Sequence, residues 1–342
     1  MSPALGDDVQ LRLQASPHLK APDSTPRIMW SVTASLLPII AVAFYYFGPS
    51  AILVLTAATL GAVLTEWAFA PRGSLTDGSC VITGLLLGLI LPPGVPLWIA
   101  FVGGAFGIGF GKLVFGGLGQ NVFNPALLGR AFLQAAFPAV MTTWSTVPER
   151  WSALRGDNLA LPFMSPEVDV MTGATPLGLF KFEDTTTEVS KLMIGDISGS
   201  LGETAGIVIL LCGGYLALRN HLNWRIPASI LLTVALFSGV LYAIDSVRFA
   251  SPMFALFSGG LMLGAMYMAT DMVTSPVTNS GAWIFGIGIG FLVVVIRTWG
   301  GLPEGVMYAI LLMNALVPFI NRATQPRPYG TSQPRARREA EA

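Results

Sequence analysis

The residues with the most specific chemistry lie at 169–177, which read Asp-Val-Met-Thr-Gly-Ala-Thr-Pro-Leu. One chemistry open to the hydroxyl of Thr175 is attachment of a phosphate group as an ester. A threonine hydroxyl is unreactive alone, so this reaction needs an internal base or a separate enzyme that brings an activated phosphate. No histidine lies near Thr175 in the sequence. Gly173 and Ala174 would let a transferase approach the backbone closely, and Pro176 fixes φ just after the acceptor. The segment is therefore predicted to be an accessible turn, with an ordinary Gly/Pro loop as the alternative.

A glycine-rich run at 116–133 carries side chains suited to a planar polar ligand. Glycines allow a bulky group to approach the backbone, while Asn121 and Asn124 offer both donors and acceptors. The ring edge of a flavin alternates the same functions, so a noncovalent flavin is one interpretation. Helix packing against glycine is the other. The Gly-x-Gly spacing is not a dinucleotide fingerprint, because no strand and βαβ unit surround it.

Ionisable residues inside apolar stretches are costly and often functional. Asp77 and Asp271 are the candidates for an ion pathway. Hydroxyl oxygens near Asp271 could coordinate a dehydrated cation or line a water-filled recess, whereas Thr278 and Asn279 are expected to cap a helix. The other charged residues at this depth are Glu66, Lys112, Arg130, Arg297 and Glu304. For all of these charged residues, extension of the side chain to the membrane surface is the alternative.

The composition is that of a polytopic membrane protein. Of 342 residues, 53% are hydrophobic and 11% charged, and the mean hydropathy is +0.65, whereas about a quarter of a soluble domain is charged. The net charge is zero, so no polybasic surface suggests nucleic acid as a partner. Cys80 and Cys212 lie in apolar stretches and are too few for zinc or an iron–sulfur cluster. No signal peptide is apparent, so the first apolar span is expected to direct insertion.

Ten apolar stretches come close to the roughly 20 residues that cross a bilayer. They are residues 28–47, 50–70, 78–95, 97–115, 125–143, 203–220, 226–244, 252–272, 281–299 and 303–320. The expected fold is therefore an all-α polytopic membrane protein with about ten transmembrane helices. Pro92-Pro93-Gly94 closes the third stretch and several glycines run through the fourth. Such breaks persist in a bilayer only where the backbone faces protein or a polar cavity.

The polar interval 144–202 divides the chain into two membrane halves, 28–143 and 203–320, between an N-terminal arm at 1–27 and a C-terminal tail at 321–342. Five spans in each half require related halves to be inverted repeats. Short similarities such as Leu-Pro-Pro-Gly and Leu-Pro-Glu-Gly support a repeat. With both termini cytoplasmic, thirteen of the 19 basic residues lie inside and six outside. This orientation makes the long interval periplasmic.

Three runs together resemble one known family. The segment 169–175 resembles the flavin-attachment motif of the Rnf and Na+-translocating NADH:quinone reductase families. The residues that match the motif are Asp169, Thr172, Gly173, Ala174 and Thr175. Thr172 stands where serine is also common. The runs at 116–133 and 270–307 likewise resemble the D subunit of the Rnf electron-transport complex and the B subunit of that reductase. The likeness extends from about Ser16 to Asn321.

This resemblance implies an electron-carrying flavoprotein subunit rather than a self-contained enzyme. Thr175 would carry FMN through a phosphoester at the periplasmic face, and riboflavin would bind noncovalently within the membrane. The implied complex is a ferredoxin:NAD+ oxidoreductase coupled to Na+ or H+ translocation across the bacterial inner membrane. Its other Rnf subunits, including a second covalent flavoprotein and iron–sulfur subunits, and a flavin transferase would be the partners. The implied fold is two inverted five-helix repeats.

Two functions from other classes remain open at this point. Interrupted, glycine-rich spans in inverted halves are also typical of a channel or secondary transporter for a small polar solute. A purely structural membrane scaffold is the other. The motif around Thr175 favours the flavoprotein, since neither a channel nor a scaffold has a use for it.

Overall fold

The computed structural model describes residues 23–71, 74–144, 154, 157–162, 173–195, 197–203 and 206–326. These residues form helices, turns and irregular connections, with no β-strand among them. The all-α class expected from composition is therefore confirmed.

The described residues form fourteen α-helices. In chain order they are α1 (Thr25–Phe47), α2 (Pro49–Phe69), α3 (Ser79–Ile90), α4 (Leu97–Ile108), α5 (Pro125–Ala136), α6 (Pro138–Thr142), α7 (Pro176–Glu183), α8 (Val189–Ile194), α9 (Gly206–Leu218), α10 (Arg225–Ile244), α11 (Pro252–Phe257), α12 (Leu261–Leu263), α13 (Asn279–Trp299) and α14 (Val306–Thr324). A 3-10 turn at Ser74–Asp77 precedes α3. Helices α4 and α12 continue as π-helical turns at Gly109–Leu113 and Gly264–Met268.

Local sequence explains where many of these helices begin. Proline is the first residue of α2, α5, α6, α7 and α11, where its missing N–H has no helical partner to lose. Four of the N-cap side chains accept a hydrogen bond from the first turn: those of Asn124, Thr175, Ser251 and Thr278. The cap predicted at Thr278 is thus confirmed, while Asn279 is the first residue of α13.

Five helices, α1, α2, α10, α13 and α14, are long and apolar enough to cross a membrane. The other five predicted spans are shorter than expected or broken, and three of them show where the helix is interrupted. The stretch at 78–95 is helical only to Ile90, because two prolines follow at 92 and 93. The stretch at 125–143 breaks at Phe137, ahead of Pro138, and the stretch at 252–272 breaks at 258–260 before resuming. The bundle is therefore polytopic, with discontinuous helices inside it.

The two halves pack alike. Helix α2 contacts α3 and α4, and α4 contacts α5; likewise α10 contacts α11 and α13, and α13 contacts α14. Each half has a glycine where two of its helices cross closely. In the first half, a Cβ on Gly104 of α4 would lie 2.1 Å from the Ala58 carbonyl oxygen of α2. In the second half, a Cβ on Gly286 of α13 would lie 1.8 Å from Ser229 Oγ of α10. The two halves contact each other through two helix pairs, α1 with α9 and α5 with α14. In each pair, one helix holds the same place in the first half as its partner holds in the second. This packing supports the two-repeat organisation.

Candidate functional site

Thr175 is the N-cap of α7 rather than part of an open turn. Its side-chain Oγ1 accepts a hydrogen bond of 3.1 Å from the Gly178 N–H, and the Thr175 carbonyl accepts one of 2.8 Å from the Leu179 N–H. Only 6% of Thr175 is exposed. The accessible turn predicted from Gly173 to Pro176 is wrong, because a proline at the first helical position starts a helix instead of preventing one.

Thr175 lines a cleft with a volume of about 570 Å³. Its walls combine aromatic, charged and small residues: Arg130, Gln134, Met141, Thr142, Trp144, Gly173, Ala174, Gly178, Phe182, Glu183, Gly301, Leu302, Pro303, Glu304, Met307 and Tyr308. The threonine thus faces a volume within the range of small-molecule sites, about 300–1,000 Å³. Three residues of the motif, Gly173, Ala174 and Thr175, meet in this cleft; Asp169 and Thr172 lie outside the described residues.

Two contacts hold α7 at the rim of the bundle. The Gly173 N–H donates a 2.8 Å hydrogen bond to the Trp144 carbonyl. The Lys181 ammonium donates to the carbonyl oxygens of Arg297, Gly300 and Leu302 at the end of α13. Cations are favourable at this end of a helix because its last carbonyls lack helical partners. Partial burial lowers the pKa of Lys181 below its usual value.

Arg130 and Glu304 supply the charge at the base of the cleft. Arg130 Nη2 lies 2.7 Å from Glu304 Oε2, and Arg130 Nη1 donates a 2.6 Å hydrogen bond to the Ile90 carbonyl. The Arg130 side chain is 8% exposed and that of Glu304 is 21% exposed. Sequence reasoning identifies both residues only as charges at membrane depth. Their pairing joins positions 174 residues apart, which no local pattern could have indicated.

The cleft residues fit a phosphorylated aromatic group. Arg130 and the N-terminus of α7 place positive potential where a phosphate on Thr175 would lie. Trp144, Phe182 and Tyr308 provide aromatic surface for a planar ring. Arg130 matches the negative charge of Glu304, and Glu183, the other carboxylate of the cleft, is solvent-exposed, which weakens its repulsion of an anion.

Asn121, Asn124 and Asp271 meet in a second cavity, of about 90 Å³, near the N-terminus of α5. Asn124 Oδ1 caps α5 by accepting from the N–H groups of Ala126 and Leu127, and its Nδ2 donates to the Met268 carbonyl at 3.2 Å. Through these hydrogen bonds, the Asn124 side chain connects the two halves of the bundle. A flavin ring would have to widen this cavity, because ligand sites start at about 300 Å³.

Asp77 and Asp271 have different hydrogen-bond partners. Asp271 accepts from the Val273 N–H at 3.3 Å and from Thr274 Oγ1 at 3.2 Å. Asp77 instead accepts from the backbone and hydroxyl of Ser79, at 2.8 and 2.7 Å. Ser79 lines the same small cavity as Asp271, so an ion pathway that includes both carboxylates stays a prediction.

Near Asp77 lies a buried ion pair. Lys112 Nζ lies 2.7 Å from Glu66 Oε1, 2.6 Å from Ser79 Oγ and 3.8 Å from Asp77 Oδ2. Ser74 Oγ also donates to Glu66. With the Lys112 side chain 3% exposed and that of Glu66 0% exposed, both groups are sealed in protein. Extension to the membrane surface, the alternative open from sequence, is wrong for these two residues.

Comparison with known proteins identifies close relatives. Residues 12–330 match the family described as NQR2, RnfD, RnfE family. The chain is 43% identical over 327 residues to the D subunit of the ion-translocating oxidoreductase complex of Stutzerimonas stutzeri, covering 90% of this chain and 92% of that protein.

Two further relatives differ in the ion that their names give. Over 334 residues the chain is 38% identical to the D subunit of the proton-translocating ferredoxin:NAD(+) oxidoreductase complex of Clostridium ljungdahlii, covering 93% and 96% of the two chains. Over 344 residues it is 39% identical to the D subunit of the Na(+)-translocating ferredoxin:NAD(+) oxidoreductase complex of Acetobacterium woodii, covering 98% of this chain and 100% of that protein. Similarity to both groups does not select an ion.

Proposed function

Because the chain belongs to the NQR2, RnfD, RnfE family, we propose that it is the D-type membrane subunit of an ion-translocating ferredoxin:NAD+ oxidoreductase and carries electrons through FMN esterified to Thr175. The observation that carries the proposal is the position of Thr175, at a helix N-terminus and in the wall of a 570 Å³ cleft. The relatives' names support the complex and its coupling to ion movement. Alone, the chain is an electron carrier and not a complete enzyme.

Different residues of the cleft would hold the phosphate and the ring of the cofactor. Thr175 would anchor the phosphate, and Arg130 and the α7 N-terminus would balance its charge. Trp144, Phe182 and Tyr308 would provide aromatic surface beside the ring. When bound, the flavin supplies the one-electron chemistry, which these amino acids cannot perform, and the protein sets its position and potential.

The proposal includes a second flavin and a set of partners. Riboflavin would bind noncovalently beside Asn121 and Asn124 after the small cavity there widens. Other Rnf subunits, including a second covalent flavoprotein and iron–sulfur subunits, would exchange electrons with this chain. A flavin transferase would attach the FMN. It would have to reach Thr175 before α7 docks on the bundle, because this threonine is buried in the folded chain.

The proposed location is the bacterial inner membrane, with both termini cytoplasmic and the cleft periplasmic. Five long apolar helices support a multi-pass protein, and the distribution of basic residues supports the orientation. An exposed cysteine introduced as Glu183→Cys, at the cleft rim, should react with a membrane-impermeant thiol reagent in cells whose outer membrane is permeable. Arg322→Cys, near the end of α14, should react only after the inner membrane is opened. Labelling in the reverse order would overturn the orientation.

Intact mass of the purified chain tests the covalent bond. Produced with its transferase, the chain should weigh more than its amino acids by one FMN less one water, and the addition should map to the peptide that contains Thr175. Thr175→Val should lose the added mass and the flavin fluorescence in a denaturing gel. Thr142→Val is the matched control, since Thr142 lines the same cleft. An unmodified native chain from a competent host would contradict the assignment.

A further inference from the structure

A buried carboxyl group and a partly buried one meet at the base of the cleft. Glu203 is 4% exposed and lies in the segment 197–203, between α8 and α9. Main-chain bonds fix that segment to the end of α3: Leu201 N–H donates to the Leu91 carbonyl and Gly202 N–H to the Leu89 carbonyl. The carboxyl group of Glu203 lies within hydrogen-bonding reach of that of Glu304, which precedes α14.

Charged groups from two other helices surround this pair. Arg130 of α5 contacts Glu304 Oε2 at 2.7 Å. Arg297 of α13 is directed to main-chain oxygens, with bonds of 2.6 Å to the Ala255 carbonyl and 2.9 Å to the Ser258 carbonyl. Of the neutral groups, Ser200 faces Glu203. Two carboxyl groups and two guanidinium groups therefore share one buried region.

Glu203 Oε1 and Glu304 Oε1 are both buried without a hydrogen-bond donor among the described residues. An ionised carboxylate only accepts hydrogen bonds, so two ionised groups in contact repel and leave both oxygens unsatisfied. A single proton turns one carboxyl into a donor and the contact into a hydrogen bond. A metal ion has too few ligands here, because the described residues place no third carboxyl, histidine or cysteine side chain beside this pair.

A comparison inside the molecule shows why the pair matters. Glu66 Oε2 is also buried without a donor, but the nearest charge to Glu66 is the ammonium of Lys112. A carboxylate against a cation remains ionised, and Glu304 has such a partner in Arg130. Among the described residues Glu203 has no ion pair of this kind and faces a carboxyl group instead, so the geometry calls for a proton shared with Glu304.

We propose that Glu203 and Glu304 bind one proton between them, and that Arg130 couples this proton site to the charge held in the Thr175 cleft. Arg130 touches Glu304 and also lines the cleft. A negative charge in the cleft attracts the guanidinium group of Arg130 and so weakens its interaction with the carboxylate of Glu304. The carboxyl pair then binds its proton more strongly. By reciprocity, a protonated pair favours negative charge in the cleft. The proton exchanges with water of the cleft, and no electron moves in this step.

The proton site itself is tested without any flavin. Infrared spectra of the Thr175→Val chain should contain a band from a protonated buried carboxyl group, shifted by deuterium exchange. Adding Glu203→Gln should remove one carboxyl's intensity from that band. Glutamine donates the same hydrogen bond to Glu304, so the thermal unfolding midpoint should stay close to that of the parent. Glu188→Gln, at an exposed glutamate outside the cleft, is the matched control and should leave the band unchanged.

A band of equal intensity with and without Glu203 would overturn the proton site. Glu304→Gln provides an independent variant with the same expected loss. If neither glutamine variant accumulates, the Thr175→Val chain alone still decides against the proposal when it shows no protonated-carboxyl band at neutral pH.

The coupling rests on the proposed function, and it is tested second. The pH at which the Glu203-dependent band disappears should be higher in the flavin-carrying chain than in Thr175→Val, by about one pH unit for a neighbouring charge. Arg130→Gln should abolish the difference. Equal midpoints would overturn the coupling. A native chain of unmodified mass would instead defeat the flavin assignment, while the proton measured in Thr175→Val would stand.

Discussion

The two buried charge clusters of this protein stand at opposite ends of α3 and are built differently. Near its start, Lys112 contacts Glu66 and Ser79 and lies close to Asp77. Near its end, Arg130 binds the Ile90 carbonyl and Glu304. Twelve residues of helix separate the clusters by roughly 18 Å, at 1.5 Å per residue.

The difference lies in what each cation faces. The Lys112 cluster is the more enclosed, since the side chains of Lys112 and Glu66 are 3% and 0% exposed and the cavity that Lys112 borders is the smaller one, about 90 Å³. Glu304, in contrast, keeps 21% of its side chain exposed, and Arg130 and Glu304 form one wall of the cleft. A sealed pair has one stable ionisation state, so its role is structural. A pair at the edge of a cleft can respond to whatever occupies that cleft, which suits it to function.

The largest effect should follow Lys112→Met. This change leaves Glu66 buried opposite no cation, and breaking a buried pair from one side costs about 3–5 kcal/mol. Thermal unfolding in detergent should show a large loss of stability. Lys191→Met, at an exposed lysine of α8, is the control and should melt like the native chain. Equal melting of the two variants would show that the cluster is not closed.

Arg130→Met should destabilise less than Lys112→Met, by about 1–3 kcal/mol, the cost of leaving a buried polar group without its partner. Glu304 retains contact with the cleft water and can take up a proton, so its charge need not stay uncompensated. The comparison is made with the same melting assay. A larger loss for Arg130→Met than for Lys112→Met would reverse our ranking of the two clusters.

Thr175→Val should cost about 1 kcal/mol, the usual value of an N-cap hydrogen bond. The loss should be confined to α7, because the bond lost is the one from Gly178. Hydrogen exchange of the α7 amides should therefore accelerate while that of α13 stays unchanged. Thr175→Ser keeps a capping hydroxyl and should retain native exchange; faster exchange in the serine variant would argue against the cap.

Asp77→Asn should have the smallest effect, below about 1 kcal/mol. Asp77 is 3.8 Å from Lys112 and its side chain is 16% exposed, so its charge adds little to the pair. Asparagine also keeps an oxygen that can accept from Ser79. A melting loss as large as that of Lys112→Met would make Asp77 a full member of the closed cluster.

Sequence reasoning succeeds where the information is local. Hydropathy locates the apolar segments, proline explains the end of α3, and Thr278 caps α13 as predicted. It fails where the partner is distant. Sequence reasoning misses Glu203, because its role depends on Glu304, which lies about a hundred residues away and meets it only in the folded bundle. A glutamate directly before an apolar span is the one available signal.

Thr175 shows a different kind of error. The motif identifies a set of residues, three of which meet in the cleft, but the small side chains around the threonine wrongly suggest an exposed loop. Helix α7 is held against the end of α13 by Lys181, a tertiary contact that no pattern in the segment itself encodes.

That lysine anchor has a consequence for how the cleft tolerates mutation. Its three acceptors are main-chain oxygens at positions 297, 300 and 302, which every amino acid supplies. A substitution at Leu302 can therefore change the surface of the turn without removing an acceptor, whereas a side chain at Gly300 would lie 2.4 Å from the Ile296 carbonyl oxygen. On this side of α7 the contact depends on the identity of Lys181 and not on the side chains that flank its acceptors, so the rim at Leu302 can vary among relatives while α7 keeps its position.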